Sequence, residues 1–188
     1  MAQKSVCIDL FNKDSKSGME WLVKNGHIEN TPDSIAGFLH FTKNLDKAAI
    51  GNYIGETVPM AQAYASKFKI DLMDIDIALS YFLGSFHMPR DPKKIDNIIM
   101  GFSRNYYIQC ICLGFNKGVF GGDESIYFLS YAIILLANDS NDPKVTKKLT
   151  KEQFMQSLQK SNGGKDFDKL LLSNIFDRVT NASKTQTK

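Results

Sequence analysis

Ile95, Ile98, Ile99, Phe102 and Tyr106 recur at steps of three and four residues, directly after the pair Asp91-Pro92. That spacing puts five large apolar side chains on one stripe of an α-helix, and Lys93, Lys94, Asp96 and Asn97 fall on its other faces. A strand has no use for such a pattern, because its side chains change sides at every residue. Sustained period-two alternation is found nowhere in the 188 residues. The chain is therefore expected to be helical throughout.

The same recurrence divides the chain into segments. Met19, Leu22 and Val23 predict a helix from Ser15 to about Asn25-Gly26. Thr31-Pro32 reads as an N-cap with proline at the first helical position, ahead of Ile35, Phe38 and Leu39. Asp46 is expected to cap a short helix with Ile50, Tyr53 and Ile54 on one face, and Pro59 to open another with Met60, Tyr64 and Phe68. Asp74 is expected to cap the helix carrying Leu79, Phe82, Leu83 and Phe86, which Met88-Pro89 stops. A glycine-rich loop spans 114–122, and Asp123 is expected to cap the apolar run 126–137. That run is too short for a bilayer, which needs about 20 residues, and reads as a helix buried on most sides. Residues 138–143 have strong turn character. Thr150 to Gln153 form a capping box, Gly163-Gly164 breaks the chain, and Leu171, Leu172, Ile175, Phe176 and Val179 mark a last helix. About nine helices are expected, and the fold class is all-α.

Composition excludes several functions. A net charge of +3 with scattered lysines makes no nucleic-acid surface. Cys7, Cys110 and Cys112 have no Cys-x-x-Cys spacing and read as free thiols of a reducing compartment, and the first residues lead into no signal-peptide-like apolar stretch. His27, His40 and His87 form no His-x-x-x-His pair, so neither a metal nor another cofactor is expected.

The segment 48–59 carries the most specific local signal. Gly55 is expected as a left-handed C-terminal cap, which leaves Glu56 at the tip of a tight turn with no cation beside it. Two readings stay open: a solvated loop glutamate, or a turn built to push one carboxylate out of the surface.

Seven short motifs in order carry a resemblance. They are Phe11-Asn12-Lys13-Asp14, Glu29-Asn30-Thr31-Pro32, the run from Ala49 to Glu56, Phe82-Leu83-Gly84-Ser85-Phe86, Lys94-Ile95-Asp96, Gly118-Val119-Phe120 and Gly164-Lys165-Asp166. Together they resemble the Sec-seven domain family, the exchange factors for Arf-type small GTPases. The resemblance implies an all-α domain of about ten helices, elongated and single, with a hydrophobic groove for the switch regions of the GTPase. It implies an N-terminal extension over 1–10 and the exchange domain over 11–180, and the polar residues 181–188 read as a disordered tail. Glu56 matches the family's catalytic glutamate. The groove is implied to use Ile54, Gly55, Phe86, Met88, Tyr131, Ile134 and Leu135, continuing through Asn138, Asp139, Asn141 and Asp142. The implied partner is an Arf-family GTPase, GDP-bound and then nucleotide-free. The domain is implied to act as a cytoplasmic monomer that meets endomembranes or the plasma membrane only through that GTPase, without nucleic acid. The chain departs from the family at His87, Arg90 and Asp91, and over residues 137–142, where only Asp139 is kept. An alternative is a helical scaffold of the same fold with weak exchange.

Overall fold

The computed structural model describes residues 2–113 and 117–185. Ten helices follow one another: α1 (Ala2–Lys13), α2 (Ser15–Lys24), α3 (Pro32–Phe41), α4 (Lys47–Ile54), α5 (Val58–Ala65), α6 (Ile75–Leu83), α7 (Pro92–Leu113), α8 (Asp123–Asn141), α9 (Lys151–Ser157) and α10 (Lys169–Thr185). The described residues contain no strand beyond one isolated bridge between Asn162 and Lys165. The protein is all-α, and no helix among the described residues is long and apolar enough to cross a membrane.

Local capping chemistry accounts for several helix starts. Thr31, Asp46 and Thr57 accept backbone N–H bonds from Ser34, Ala49 and Met60, at the heads of α3, α4 and α5. Thr150 and Gln153 complete the reciprocal capping box of α9.

The chain forms two compact units. The first combines the described residues up to Ile70 with Leu79–Asn105. Its core is aromatic: Phe82 lies 5.2 Å from Phe86 and 5.3 Å from Phe102 by ring centroids, and Tyr64 lies 5.4 Å from Phe68. Such ring pairs add about 0.5–1.5 kcal/mol each beyond the area they bury. The Tyr64 hydroxyl donates to Ser85 Oγ, which in turn donates to the Phe82 carbonyl, so the polar end of the buried phenol is satisfied.

The second unit combines Asp71–Ala78 with the described residues from Tyr106 onward. Here α10 packs on α8 and α9. Tyr106, Phe120 and Phe167 form a chain of edge contacts, and the Tyr106 hydroxyl donates 2.8 Å to the Met73 carbonyl. Arg178 on α10 donates to both carboxylate oxygens of Asp76, at 2.8 and 2.7 Å, and reaches Asp74 at 3.2 Å. Asn162 ties residues 119–121 to its own turn, donating to the Val119 carbonyl and accepting from Gly121 N–H.

Several sequence expectations differ from the structure. A helix precedes Ser15, because Cys7 and Phe11 at i and i+4 are enough to seat α1. Helix α6 ends at Leu83, so Phe86 follows it rather than riding on it. The N-cap of α8 is Gly122, with Asp123 in the first turn, where a carboxylate favours the helix dipole. Helix α8 continues through residues 138–141, and α10 continues to Thr185, so most of the expected polar tail is helical. Residues 186–188 and 114–116 lie outside the described residues.

Candidate functional site

Helix α4 is fixed at its head before it can present anything at its tail. Asp46 accepts from Ala49 N–H at 2.7 Å, and its own N–H donates 2.7 Å to Asn12 Oδ1. Farther along, Gly51 is buried where His87 crosses: a Cβ on Gly51 would sit 2.0 Å from the His87 carbonyl oxygen. His87 N–H donates to the Lys47 carbonyl at 2.9 Å. Only glycine lets the segment after Phe86 lie so close on α4.

The turn beyond α4 is tighter than the sequence suggests. Gly55 has φ −73° and ψ −8°, in the right-handed region, and is not the left-handed cap expected. Its reason is tertiary: a Cβ at Gly55 would lie 2.7 Å from Lys94 Cβ. From the first turns of α7, Asn97 Nδ2 donates to the carbonyls of Gly55 and Glu56, at 2.8 and 3.2 Å. Lys94 Nζ lies 2.6 Å from Glu56 Oε1 and 3.2 Å from the Asn52 carbonyl. The expectation of no cation beside Glu56 is thereby corrected. Lys94 is 38 residues away in sequence, so no local pattern could disclose it.

The Glu56 carboxylate nonetheless faces outward, with 62% of its side chain exposed against 22% for Lys94. It also borders a cavity of about 370 Å³ shared with Lys16, Thr31, Tyr53 and Thr57. Burial raises the Tyr53 phenol above its ordinary value, and the carboxylates of Glu20 and Glu56 add to the shift. Tyr53 is therefore a neutral hydroxyl at physiological pH. Ile54 is fully buried and Gly55 is buried with it. Phe86 is 3% exposed and packs on Tyr64 and Phe82, so it belongs to the core beneath the segment it leads. Met88 is half-buried.

The remaining expected site residues lie in the second unit, on α8 and just beyond it. Ile126, Leu129, Ile133 and Leu136 are the buried face of α8. Phe128, Tyr131 and Leu135 fall at i, i+3 and i+7 and are 43%, 44% and 53% exposed, so the helix presents one apolar stripe outward. Tyr127 stacks on Tyr131 with ring centroids 6.3 Å apart, and Ile134 is half-buried. At the end of the helix, Asp139 Oδ2 accepts from Leu149 N–H at 2.9 Å, and Asp142 Oδ1 accepts from Lys144 N–H at 2.9 Å. Lys148 Nζ donates to the carbonyls of Asp139 and Asp142, both at 2.6 Å. A basic residue soon after a helix end is the one sequence signal that could have marked this cap. Asn138 and Asn141 are exposed.

Comparison with known proteins identifies the family. The sequence model of the Sec7 domain matches residues 2–183. The chain belongs to the Sec7 domain family. This Sec7 domain is 37% identical to human cytohesin-2 over 176 residues, which covers 91% of the chain and 42% of cytohesin-2. It is 31% identical over 190 residues to the Arabidopsis thaliana protein named ARF guanine-nucleotide exchange factor GNL2, covering 97% of the chain and 14% of GNL2. The Sec7 domain thus spans less than half the length of either relative. Its fold matches the solved structure described as ARF1-GDP bound to Sec7 domain complexed with Brefeldin A. The TM-score is 0.82 at 26% identity, over 96% of this chain and 91% of that one.

Proposed function

We propose that this domain promotes GDP release from an Arf-type small GTPase, with Glu56 entering near the nucleotide phosphates and their magnesium ion. The observation that carries the reading is an outward carboxylate on a turn whose backbone is held from α7 by Asn97. The relatives' names and the ARF1-GDP complex of a domain with this fold support the class of partner.

Magnitudes divide the work. Picomolar nucleotide binding corresponds to about 16 kcal/mol. A carboxylate about 4 Å from a phosphate oxygen contributes roughly 4 kcal/mol of repulsion at an effective dielectric near 20. Glu56 therefore does not expel the nucleotide by repulsion alone. It also displaces magnesium and pairs with the phosphate-binding lysine of the GTPase, while apolar contacts through Tyr131, Ile134 and Leu135 hold the switch regions open. Met88 and the exposed Asn138 and Asn141 add contacts. The domain acts as a cytoplasmic monomer on endomembrane or plasma-membrane surfaces, reached through the GTPase, and performs no covalent chemistry.

The test is release of a fluorescent GDP analogue from a panel of Arf-type GTPases. Glu56→Gln keeps side-chain length and removes the charge, and is expected to slow release by about a hundredfold or more, the scale of losing one key electrostatic group. Release at the wild-type rate overturns the role of Glu56. One observation favours the second reading, a scaffold that exchanges weakly: Asp139 and Asp142 already spend carboxylate oxygens on Leu149 and Lys144. Stable complexes without release from any GTPase would decide for it.

A further inference from the structure

We propose that Lys94 is a positioning residue for Glu56, holding its carboxylate in one direction before the GTPase arrives. The inference rests on the role of Glu56 proposed above. Asn97 holds the carbonyls of the two peptides that flank Glu56, yet a glutamate on a fixed backbone still samples many rotamers. Lys94 removes that freedom. Its stem is held at the root, because its Cβ lies where a side chain at Gly55 would have to stand, 2.7 Å from the position of the missing Cβ. Its ammonium is held at the tip, shared between Glu56 Oε1 and the Asn52 carbonyl. The lysine is thus ordered by its surroundings, and the glutamate is the outer, exposed member of the pair.

This asymmetry gives the pair its use. Ordering Glu56 in advance removes a cost that would otherwise fall on the encounter with the GTPase. An exposed ion pair is weak, so Glu56 leaves Lys94 readily for a cation on the partner. Lys94 therefore aims the carboxylate without trapping it. Gly55 belongs to the same device: it is glycine to admit the lysine stem.

The experiment measures kcat and KM for GDP release with the wild type, Lys94→Met, Lys94→Arg, Glu56→Gln and the Glu56→Gln, Lys94→Met double variant. Lys94→Met keeps the stem that packs on Gly55. It is expected to lower kcat about fivefold, with KM within about twofold and the melting temperature unchanged, a size in keeping with an exposed pair. Lys94→Arg recovers most of the rate, and in the Glu56→Gln background Lys94→Met changes nothing further. A kcat equal to or above wild type in Lys94→Met overturns the proposal, as does an effect confined to KM, which would make Lys94 a partner contact. If Glu56→Gln releases GDP like wild type, the reading beneath the proposal falls and takes the proposal with it. A second arm needs no GTPase: three-bond couplings across χ1 of Glu56 should report one rotamer in the wild type and averaging in Lys94→Met. Averaging already present in the wild type overturns the proposal.

Discussion

Lys148 caps the helix that Asp139 helps to end: its ammonium lies 2.6 Å from the Asp139 carbonyl oxygen and equally close to that of Asp142. The last carbonyls of a helix have no partner within it, and they carry the negative end of its dipole. One side chain after the helix answers both needs. Lys148→Met is expected to cost about 0.5–1.5 kcal/mol. Hydrogen exchange at the amides of residues 139–142 should quicken about fivefold, while amides at the start of α8 keep their rates. Asp142→Asn should do neither, because an amide oxygen accepts from Lys144 N–H as the carboxylate does.

Tyr131 and Leu135 are exposed on α8, whereas Phe86 is in the core, so truncation should separate them. Tyr131→Ala or Leu135→Ala should weaken binding to a responsive GTPase by about 1–3 kcal/mol, with the melting temperature nearly unchanged. Phe86→Ala should instead lower stability by about 3–5 kcal/mol. Titration calorimetry beside thermal melting checks both. A large loss of stability in either α8 variant would assign that stripe to structure.

Arg178 donates to both carboxylate oxygens of Asp76, whose side chain is only 5% exposed. Removing one member of such a pair strands the other. Arg178→Met is expected to cost about 2–4 kcal/mol, somewhat below a fully buried pair because the arginine is partly exposed. Adding Asp76→Leu should recover part of the loss. Urea unfolding of Arg178→Met, Asp76→Leu and the double variant measures the coupling, and strict additivity would contradict it.

His40 sets a pH dependence of known sign. Burial, with repulsion from Lys67 added, holds its imidazole below the ordinary value of 6.5. Phe68 and Phe41 lie against the ring, at 4.6 and 4.7 Å. As pH falls, the unfolded chain takes up the proton first, so this contribution is complete above about 6.5 and is lost as pH falls through the folded value. The drop in melting temperature from pH 7 to pH 5 should be smaller in His40→Gln than in the wild type. An equal drop would assign the effect to other groups.

What was legible in the sequence was what depends on near neighbours. The stripe from Ile95 to Tyr106, the caps at Thr31 and Asp46, and the box at Thr150 each involve residues within a turn or a few turns of one another, and each stands as read. The misreadings have distant causes. Gly55 looked like a conformational glycine, but it answers to Lys94 across 39 positions of chain, as the difference 94 − 55 gives. The end of α8 looked like a turn because Asn138, Asp139, Ser140 and Asn141 are poor helix formers; Lys148 from beyond the helix offsets that preference. The outward position of Glu56 is legible from its turn, whereas its ion pair is not, since Lys94 sits on an ordinary charged face of α7.

The interleaving of the two units bears on how this protein can be cut. Asp71–Ala78 belongs to the unit formed by the later chain, although it precedes part of the other unit in sequence. A fragment ending at residue 105 would therefore carry Asp76 without Arg178, and one beginning at 106 would carry Arg178 without either aspartate. Neither piece is a separable module. Expressed apart, the halves 1–105 and 106–188 should each be poorly soluble, and sedimentation of either alone beside the intact chain measures this.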